Sequence, residues 1–451
     1  MLEIRAAEAP ADVAIIGGGP AGSTAAALLA SAGRRVVLFE KEKFPRFHIG
    51  ESLLPFSTDL VRRLGIETKL QAEQVKKWGA RLISSDGAVT RYICFEEGLV
   101  PGYPSAYQVL RSRFDEMLLQ NAADRGAEIH QGVSVVEATA SSRSGCELTV
   151  RDAAGNLSRH RARFLLDASG RDAFLASRKG LRRMTPHLRK AAVFAHYEGV
   201  ARDEGRAAGD IILVILKDAW FWMIPLAGGR TSVGLVLEGA ALKGSGLAPG
   251  DLLEESIRRC PAARMRMSGA RRVSGYWTAS DYSYRCREVA GDGYLLLGDA
   301  AAFIDPVFST GVWLAMSSAE MAADTLHAAL GSKGRKENLS PSVFAAYERK
   351  VIRHVRHYTR IVSAFYRPGF MDLFLQPSTR LGVKESVITL LAGHMQPPFS
   401  VRWRLALFYL GLRIHRFFPL RPAVPLLGAM EAPGPEAARA PAALNSEDLR
   451  A

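Results

Sequence analysis

The chain has 451 residues, of which 48% are hydrophobic and 23% charged, so we expect an ordinary soluble globule of two or three domains. Its four cysteines lie far apart and form no CxxC pair, which argues against a disulfide framework, a metal site or a redox dithiol and favours a reducing, cytoplasmic location. The formal net charge of +14 points to an anionic partner, but no nucleic-acid-binding motif accompanies that charge.

The N-terminal pattern up to Glu40 predicts a strand, a glycine turn, a helix and a second strand, which together form a βαβ unit. The turn satisfies GxGxxG: Gly17 permits a tight turn, Gly19 lets the backbone approach a pyrophosphate, and Gly22 lets helix and strand pack closely. Glu40 ends the second strand, where an acid accepts hydrogen bonds from a ribose. We predict that these residues and Ala21 bind a dinucleotide. A signal-peptide core in the same segment is the alternative, which the glycines disfavour.

Strand-like runs recur through the middle of the chain and predict an antiparallel sheet as a second layer. They are residues 81–95, 146–151, 191–200, 211–216, 221–226 and 231–237. Helical periodicity is found at residues 113–125, 312–330 and 342–365. No uninterrupted apolar segment reaches the roughly 18 residues that indicate a membrane span.

GxGxxG does not distinguish NAD from FAD, but three later motifs do. Gly298-Asp299 resembles the second flavin fingerprint of the FAD-dependent aromatic hydroxylase superfamily, whose aspartate binds the ribityl chain. Arg111 occupies the place of that superfamily's flavin-contacting arginine, although Leu110 replaces the usual acidic residue, and the DASG sequence at 167–170 completes the pattern. The resemblance covers residues 12 to about 320 and implies an FAD-binding two-domain fold. It also implies that Lys41, Arg46 and Gly311 contact the cofactor.

Within that superfamily, four local features resemble the flavin-dependent halogenases. Residues 44–55, FPRFHIGESLLP, form the longest match. Trp220 and Trp222 match the WxWxIP sequence of these enzymes, with Ala219 in place of the glycine that often precedes it. The resemblance implies that the two tryptophans keep the organic substrate away from the flavin, so that halide is oxidised instead. An ordinary aromatic core strand is the alternative for the tryptophans.

The other two features concern the halide and a catalytic amine. The sequence DPVFSTG at 305–311 implies that chloride or bromide lies against the backbone N–H groups of Thr310 and Gly311. Lys77 stands where the halogenases have their catalytic lysine; Lys76 and a surface role remain alternatives. The implied chemistry is that reduced FAD and O2 oxidise halide to hypohalous acid, which Lys77 presents to an electron-rich carbon. Partial burial would lower the pKa of this lysine and free the amine.

Phe308 departs from the tryptophan-directed halogenases, which have a glutamate just before the Ser-Thr-Gly turn. Without that acid, the resemblance favours the phenol- and pyrrole-directed branch, some of whose members act on substrates tethered to carrier proteins. The alternatives are an FAD-dependent monooxygenase or hydroxylase, a flavin-dependent reductase of the isoprenoid type, and a non-catalytic flavoprotein. Because the sequence has no second GxGxxG for a pyridine nucleotide, we expect a separate flavin reductase to supply reduced FAD.

We predict an α/β fold in which a Rossmann-like FAD domain carries an inserted antiparallel-sheet substrate domain, followed by a C-terminal helical region. The predicted boundaries are 10–75, 106–185 and 275–335 for the FAD domain, 76–105 and 186–274 for the substrate-side sheet, 336–430 for the helices and 431–451 for a disordered tail.

The region 401–421 is basic and aromatic. An apolar stripe recurs there at helical spacing and predicts an amphipathic helix flanked by arginines: Trp403, Leu407, Leu410, Ile414 and Phe417. Packing onto the main body, peripheral contact with a membrane surface and docking of an acidic carrier protein are all compatible with this pattern.

Overall fold

The computed structural model describes residues 10–280, 283–331, 338–376 and 380–430. The strands are β1 (Ala11–Ile16), β2 (Val36–Glu40), β3 (Val75–Lys77), β4 (Gly79–Ser84), β5 (Thr90–Cys94), β6 (Ala106–Gln108), β7 (Glu128–Gln131), β8 (Ser134–Ser141), β9 (Gly145–Arg151), β10 (Leu157–Asp167), β11 (Arg182–Met184), β12 (Lys190–Glu198), β13 (Ile211–Ile215), β14 (Ala219–Pro225), β15 (Arg230–Glu238), β16 (Arg271–Arg272), β17 (Trp277–Ser280), β18 (Tyr284–Cys286), β19 (Ala290–Gly291), β20 (Tyr294–Leu296) and β21 (Ala302–Phe303). The α-helices are α1 (Pro20–Ser31), α2 (Thr58–Arg63), α3 (Glu67–Glu73), α4 (Arg111–Asp124), α5 (Phe174–Arg178), α6 (Gly239–Gly244), α7 (Pro249–Arg259), α8 (Pro261–Arg266), α9 (Gly311–Ala329), α10 (Ala345–Phe365), α11 (Phe370–Phe374), α12 (Val383–Leu391) and α13 (Phe399–His415).

The first sheet is parallel at its centre. Strands β20, β10, β1, β2 and β7 lie side by side in that order and run parallel, while β8 and β9 extend β10 as an antiparallel meander. Helix α1 packs against α4 and α9 on this sheet. The predicted βαβ unit is confirmed, because β1, α1 and β2 follow one another and the two strands are parallel neighbours. A continuous apolar run such as β1 is typical of a parallel strand buried on both faces.

The second sheet has the order β16, β12, β15, β14, β13, β4, β5, and β17 also pairs with β12. The run predicted at 81–95 is in fact two antiparallel strands, β4 and β5, because the chain turns at Gly87 with a φ of +84°. Side chains alternate along β14: Trp220 and Trp222 join the main core, while Phe221 joins a second core beneath α7 and α8. The alternation therefore directs both indoles towards the first sheet.

One predicted boundary differs from the structure. Residues 275–335 were expected to belong with the first sheet, but β17 pairs with β12 of the second sheet. The difference arises because strand propensity does not determine which neighbour a strand pairs with. The predicted C-terminal helical region is confirmed by α10 to α13, and the predicted tail at 431–451 lies outside the described residues.

Helix α13 packs on the body through a face other than the predicted stripe. Its buried side chains are Val401, Leu405 and His415. Leu410 and Ile414, which belong to the stripe, are 49% and 40% exposed. The helix therefore presents apolar side chains to solvent. Within the described ranges, no helix has the length and apolarity needed to cross a membrane.

Candidate active site

A cavity of about 400 Å³, the large cavity, reaches from the glycine turn after β1 to Trp220 and Trp222 in β14. All but one of the residues predicted to bind the cofactor line it: Gly17, Gly19, Ala21, Glu40, Lys41, Arg46, Arg111, Asp299 and Gly311. The exception is Gly22, which packs inside the turn. The cavity lies at the carboxyl ends of parallel strands, where open α/β sheets bind their ligands.

Two positions of the glycine turn, Gly17 and Gly22, have no room for a side chain. Gly17 has a φ of +98°, and a Cβ there would lie 2.4 Å from the Ala168 carbonyl oxygen. A Cβ on Gly22 would lie 1.8 Å from the Gly17 oxygen. The Glu40 carboxylate accepts a hydrogen bond of 2.7 Å from the Gly18 N–H and thereby holds the turn against β2. These contacts leave the start of α1 open to a phosphate group.

Arg111 is held by a network beside this turn. Its Nε and Nη2 donate to the two carboxylate oxygens of Asp115 at 2.7 and 2.8 Å, and its Nη1 donates to the Ile49 carbonyl at 2.5 Å. Arg46 also pairs with Asp115, at 3.2 Å. Burial tends to raise the pKa of Asp115, but the two arginines outweigh it and hold that pKa below its usual value. The network presents two fixed cations to the cavity.

Asp299 and Lys41 line other parts of the large cavity. Burial raises the pKa of Asp299 to about 6, although Arg111 and Arg171 act in the opposite direction. Lys41 lies at an exposed position and pairs with Asp172 at 2.5 Å. The glycine turn, the two arginines and the Asp299 carboxyl group line one cavity and form a set of groups that fits FAD.

Hydrogen bonds fix both tryptophans of β14. The Trp220 Nε1–H donates to the Tyr366 hydroxyl at 2.9 Å, and that hydroxyl donates to Asp305 Oδ2 at 2.9 Å. The Trp222 Nε1–H donates to Ser232 Oγ at 3.1 Å. Both indoles border the large cavity. The orientation of Trp220 therefore depends on Tyr366, which follows α10, and on Asp305, which precedes α9.

The DPVFSTG sequence forms a short turn that leads into α9. Asp305 Oδ1 accepts a hydrogen bond of 3.1 Å from the Val307 N–H, and Ser309 has a left-handed φ of +57°. In the described part of the chain, the backbone N–H groups of Thr310 and Gly311 have no hydrogen-bond acceptor. The buried Thr310 hydroxyl likewise has no partner there. Unsatisfied N–H groups at the start of a helix attract an anion.

Lys77 lies in a separate pocket of about 40 Å³, the lysine pocket. Its side chain is 2% exposed, and Nζ donates to Ser52 Oγ at 2.8 Å and to the Leu53 carbonyl at 3.2 Å. Burial lowers the pKa of this lysine to about 7. The neighbouring Lys76 is exposed, with Nζ 4.2 Å from the centre of the Trp78 ring. Of the two lysines, Lys77 has the burial expected of a reactive amine.

The large cavity and the lysine pocket meet at two residues. Ile211 and Ser309 line both spaces. Phe308, the residue that replaces a glutamate in the tryptophan-directed halogenases, lines the lysine pocket. The site thus combines the large cavity, an anion-attracting turn whose Ser309 and Gly311 line that cavity, and a buried amine in a pocket that Ser309 also lines.

Comparisons with known proteins agree with this geometry. A family model described as an FAD binding domain matches residues 10–359. The chain is 32% identical to the 1H-pyrrole-2-carbonyl-(peptidyl-carrier protein) chlorinase of Pseudomonas fluorescens, over 83% of this chain and 88% of the relative. The chain belongs to the flavin-dependent halogenases.

Two further matches support the same family. This halogenase is 33% identical to a tryptophan 2-halogenase of Chondromyces crocatus, over 78% of this chain and 67% of the relative. The solved structure of the flavin-dependent brominase Bmp2 superposes with a TM-score of 0.78 at 27% identity, covering 90% of this chain and all of the brominase chain. FAD as the cofactor and chloride or bromide as the co-substrate follow from membership of the family.

Several residues that shape this halogenase's site were not identified from the sequence: Ser52, Asp115, His196, Ile211 and Tyr366. Asp115 could have been found, because it lies one helical turn after Arg111, at the i,i+4 spacing of ion pairs. The others act over long sequence separations. An example is the buried contact of 2.8 Å between His196 Nε2 and Glu51 Oε1.

Proposed function

We propose that this halogenase modifies an electron-rich pyrrole or phenol ring that is tethered to a carrier protein, and that Lys77 is its catalytic amine. The observation that carries the proposal is the buried lysine pocket, which adjoins the large cavity only through Ile211 and Ser309 among its described lining residues. We infer that a small oxidant passes between the two spaces at this junction, whereas an aromatic ring at Lys77 stays apart from the flavin. The pyrrole-carrier chlorinase among its relatives supports the substrate class.

FAD would be held by the glycine turn at its pyrophosphate, by Glu40 at the ribose and by Arg111 and Asp299 further along the large cavity. Bound and reduced, the cofactor supplies with O2 the two-electron oxidation of chloride or bromide to hypohalous acid. The N–H groups of Thr310 and Gly311 hold the halide by hydrogen bonding. We also propose that a separate flavin reductase supplies the reduced cofactor.

Lys77 then transfers the halogen in two balanced steps. The neutral amine attacks the halogen of hypohalous acid, so that an N–X bond forms and the O–X bond breaks, and the departing hydroxide takes an N–H proton and leaves as water. The ring carbon next takes the halogen, the N–X bond breaks, and the ring proton replaces the halogen on nitrogen. Alternatively, Lys77 holds hypohalous acid by a hydrogen bond while the ring attacks it directly. In both routes one hypohalous acid and one C–H bond give one C–X bond and one water molecule.

The lining of the lysine pocket favours strongly activated rings. Its described residues are apolar apart from Lys77 and Ser309, and none is a carboxylate. Phe308 supplies an aromatic ring at the position where the tryptophan-directed enzymes have a glutamate. A ring that needs a carboxylate to take up its proton would therefore react poorly in this pocket. Phenols and pyrroles are nucleophilic enough to react without that group.

The test supplies the purified halogenase with FAD, a flavin reductase, NADH and either chloride or bromide. Carrier-bound pyrrole-2-carbonyl and phenol substrates are compared with the free acids and with tryptophan, and products are identified by their halogen isotope patterns in mass spectrometry. We expect product from the carrier-bound rings. Product from free tryptophan alone would contradict the proposed substrate class, and an oxygenated product without halogen would contradict the proposed chemistry.

We further propose that the outer face of α13 and the residues after it dock the carrier. Exposed apolar side chains lie there next to arginines: Leu410, Ile414, Phe417 and Phe418 are 40–73% exposed, and Arg402, Arg413 and Arg416 are also exposed. Acidic carrier proteins complement a basic surface with apolar contacts. Binding to an anionic membrane surface is the competing outcome of the same experiment.

A further inference from the structure

A groove of about 370 Å³, the C-terminal groove, lies between β5 and helices α11, α12 and α13. Its inner surface is mostly apolar and includes Ile93, Phe374, Val387, Ile388, Leu407 and Phe408. Three cationic side chains are also among its lining residues: Arg91, Lys384 and Arg421. The groove is distinct from the large cavity, with which it shares no described lining residue.

The groove adjoins the lysine pocket. Ile93 and Phe374 line both spaces, so these two side chains are the partition between them. The groove therefore borders the lysine pocket at Ile93 and Phe374, whereas the large cavity borders it at Ile211 and Ser309. A substrate that occupies the groove approaches Lys77 without entering the large cavity.

The lysine pocket is too small for an aromatic ring, so this partition has to move if a ring is to reach Lys77. At about 40 Å³ it has room for a few water molecules but not for an aromatic ring, since a cavity that accepts benzene measures roughly 150 Å³. Ile93 is fixed in β5 between neighbouring residues of a paired strand. Phe374 instead ends the five-residue helix α11, and its ring lies 4.9 Å from Phe370 and 6.4 Å from Phe308. Phe374 is therefore the partition residue that lies outside a paired strand, and its displacement would open the pocket to the groove.

The charges of the lining favour an occupant with an anionic group at one end. Lys384 is paired with Glu97 at 2.6 Å, and Arg91 donates to the Leu375 carbonyl at 2.9 Å. Arg421 is exposed, next to the face of α13 described above. An acyl group on a carrier hangs from a long, flexible pantetheine arm that begins at a phosphodiester. That arm combines an anion at its outer end with an uncharged chain, which matches a cation above an apolar groove.

We propose that the C-terminal groove binds the pantetheine arm of a carrier-tethered substrate, with Arg421 at its phosphate, and that Phe374 swings aside to admit the aromatic ring to Lys77. This inference rests on the proposed function and adds the route by which the ring reaches the amine. A free aromatic acid would leave most of the groove unfilled.

Binding of the arm is measured without turnover. The probe is pantetheine 4′-phosphate that carries pyrrole-2-carbonyl through an amide, and isothermal titration calorimetry compares it with the same compound lacking the phosphate. We expect Arg421→Glu to weaken binding of the phosphorylated probe roughly tenfold, the size of one charge-assisted contact, and to leave the other probe unaffected. The matched control is Arg416→Glu, which makes the same charge change outside the groove and should alter neither affinity. Equal binding of both probes by the wild type and by Arg421→Glu would overturn the groove assignment.

The role of Phe374 is tested by enlarging and by removing its side chain. We expect Phe374→Trp to reduce halogenation of the carrier-bound ring roughly tenfold or more, while FAD affinity and halide-dependent flavin reoxidation stay at wild-type values. Phe374→Ala should admit bulkier rings than the wild type does. The control is Phe370→Leu, because Phe370 contacts Phe374 but lines neither space. Unchanged product formation by Phe374→Trp would contradict this role, whereas a wild type that halogenates no carrier-bound ring would contradict the proposed function instead.

Discussion

Lys77 combines an ionisable side chain with nearly complete burial. Its amine is hydrogen-bonded only to uncharged groups, Ser52 and the Leu53 carbonyl, within the described residues. We expect Lys77→Ala to lower product halogenation by roughly 100-fold or more, because a positioned acid–base or nucleophilic group contributes at least that much. Halogenated product is quantified by mass spectrometry, and FAD affinity by quenching of flavin fluorescence should be unchanged.

The control for this substitution lies one position away in the sequence. Lys76→Ala removes the same side chain from the exposed face of β3 and should leave the halogenation rate within about twofold of the wild type. If Lys77→Ala chlorinates as fast as the wild type, the assignment of the amine is wrong. If Lys76→Ala loses activity instead, Lys76 is the catalytic amine.

The protonation state of Lys77 predicts a pH dependence. Burial lowers its pKa to about 7, so the neutral amine predominates above that pH and the ammonium below it. We expect the yield of halogenated product per flavin oxidised to rise as the pH increases through about 7. Between about pH 7 and the ordinary pKa of lysine, the folded protein binds fewer protons at this group than the unfolded protein does. The free energy of unfolding should therefore rise with pH across that interval.

The product yield and the stability can both be compared with those of Lys77→Met, a variant that keeps the bulk of the side chain and cannot titrate. The free energy of unfolding of the wild type relative to this variant should increase with pH, as measured by urea denaturation at each pH. A relative stability that stays constant or falls over the same interval would show that the amine stays charged in the folded protein.

At the scale of elements, one hydrogen-bonded chain ties the second sheet to the C-terminal helices. Trp220 in β14, Tyr366 after α10 and Asp305 before α9 are joined by two hydrogen bonds of 2.9 Å. Tyr366→Phe leaves the indole N–H and the buried carboxylate without this partner, and we expect it to lower the free energy of unfolding by about 1–3 kcal/mol. Urea denaturation measures the change. The control is Tyr409→Phe, which removes a hydroxyl that has no hydrogen bond in the described structure. It should lower the free energy of unfolding by less than Tyr366→Phe does.

Elements with local signals were predicted well from the sequence. The βαβ unit, β14 and α9 follow from the glycine turn, the aromatic alternation and the helical periodicity, all of which act over a few residues. The packing of α13 was not predictable, because a helix with apolar side chains on several faces does not reveal which face the body covers. The C-terminal groove has no sequence signal either, since β5 and three later helices contribute to it.

The arrangement of the three spaces is a property of the whole molecule. The large cavity meets the lysine pocket at Ile211 and Ser309, and the lysine pocket meets the C-terminal groove at Ile93 and Phe374. Under the proposed function, oxidant and organic substrate would thus reach the lysine pocket at different pairs of lining residues. That separation would keep the substrate away from the reduced flavin, and it depends on residues of both the second sheet and the C-terminal helices.

The net charge of +14 is the other property of the whole molecule, and its distribution predicts how a carrier associates. Reversing Arg402, Arg413 and Arg416 to glutamate should weaken binding of an acidic carrier roughly tenfold or more at low salt, and the difference should shrink as salt screens the charges. The matched control reverses three exposed arginines on or beside the first sheet: Arg143 in the turn between β8 and β9, Arg151 in β9 and Arg159 in β10. Because both variants lose the same total charge, a difference in their carrier affinity, measured by surface plasmon resonance, reports the contribution of the surface around α13. Equal carrier affinity for the two variants would rule out this docking face, and loss of binding to anionic vesicles alone would assign the surface to a membrane.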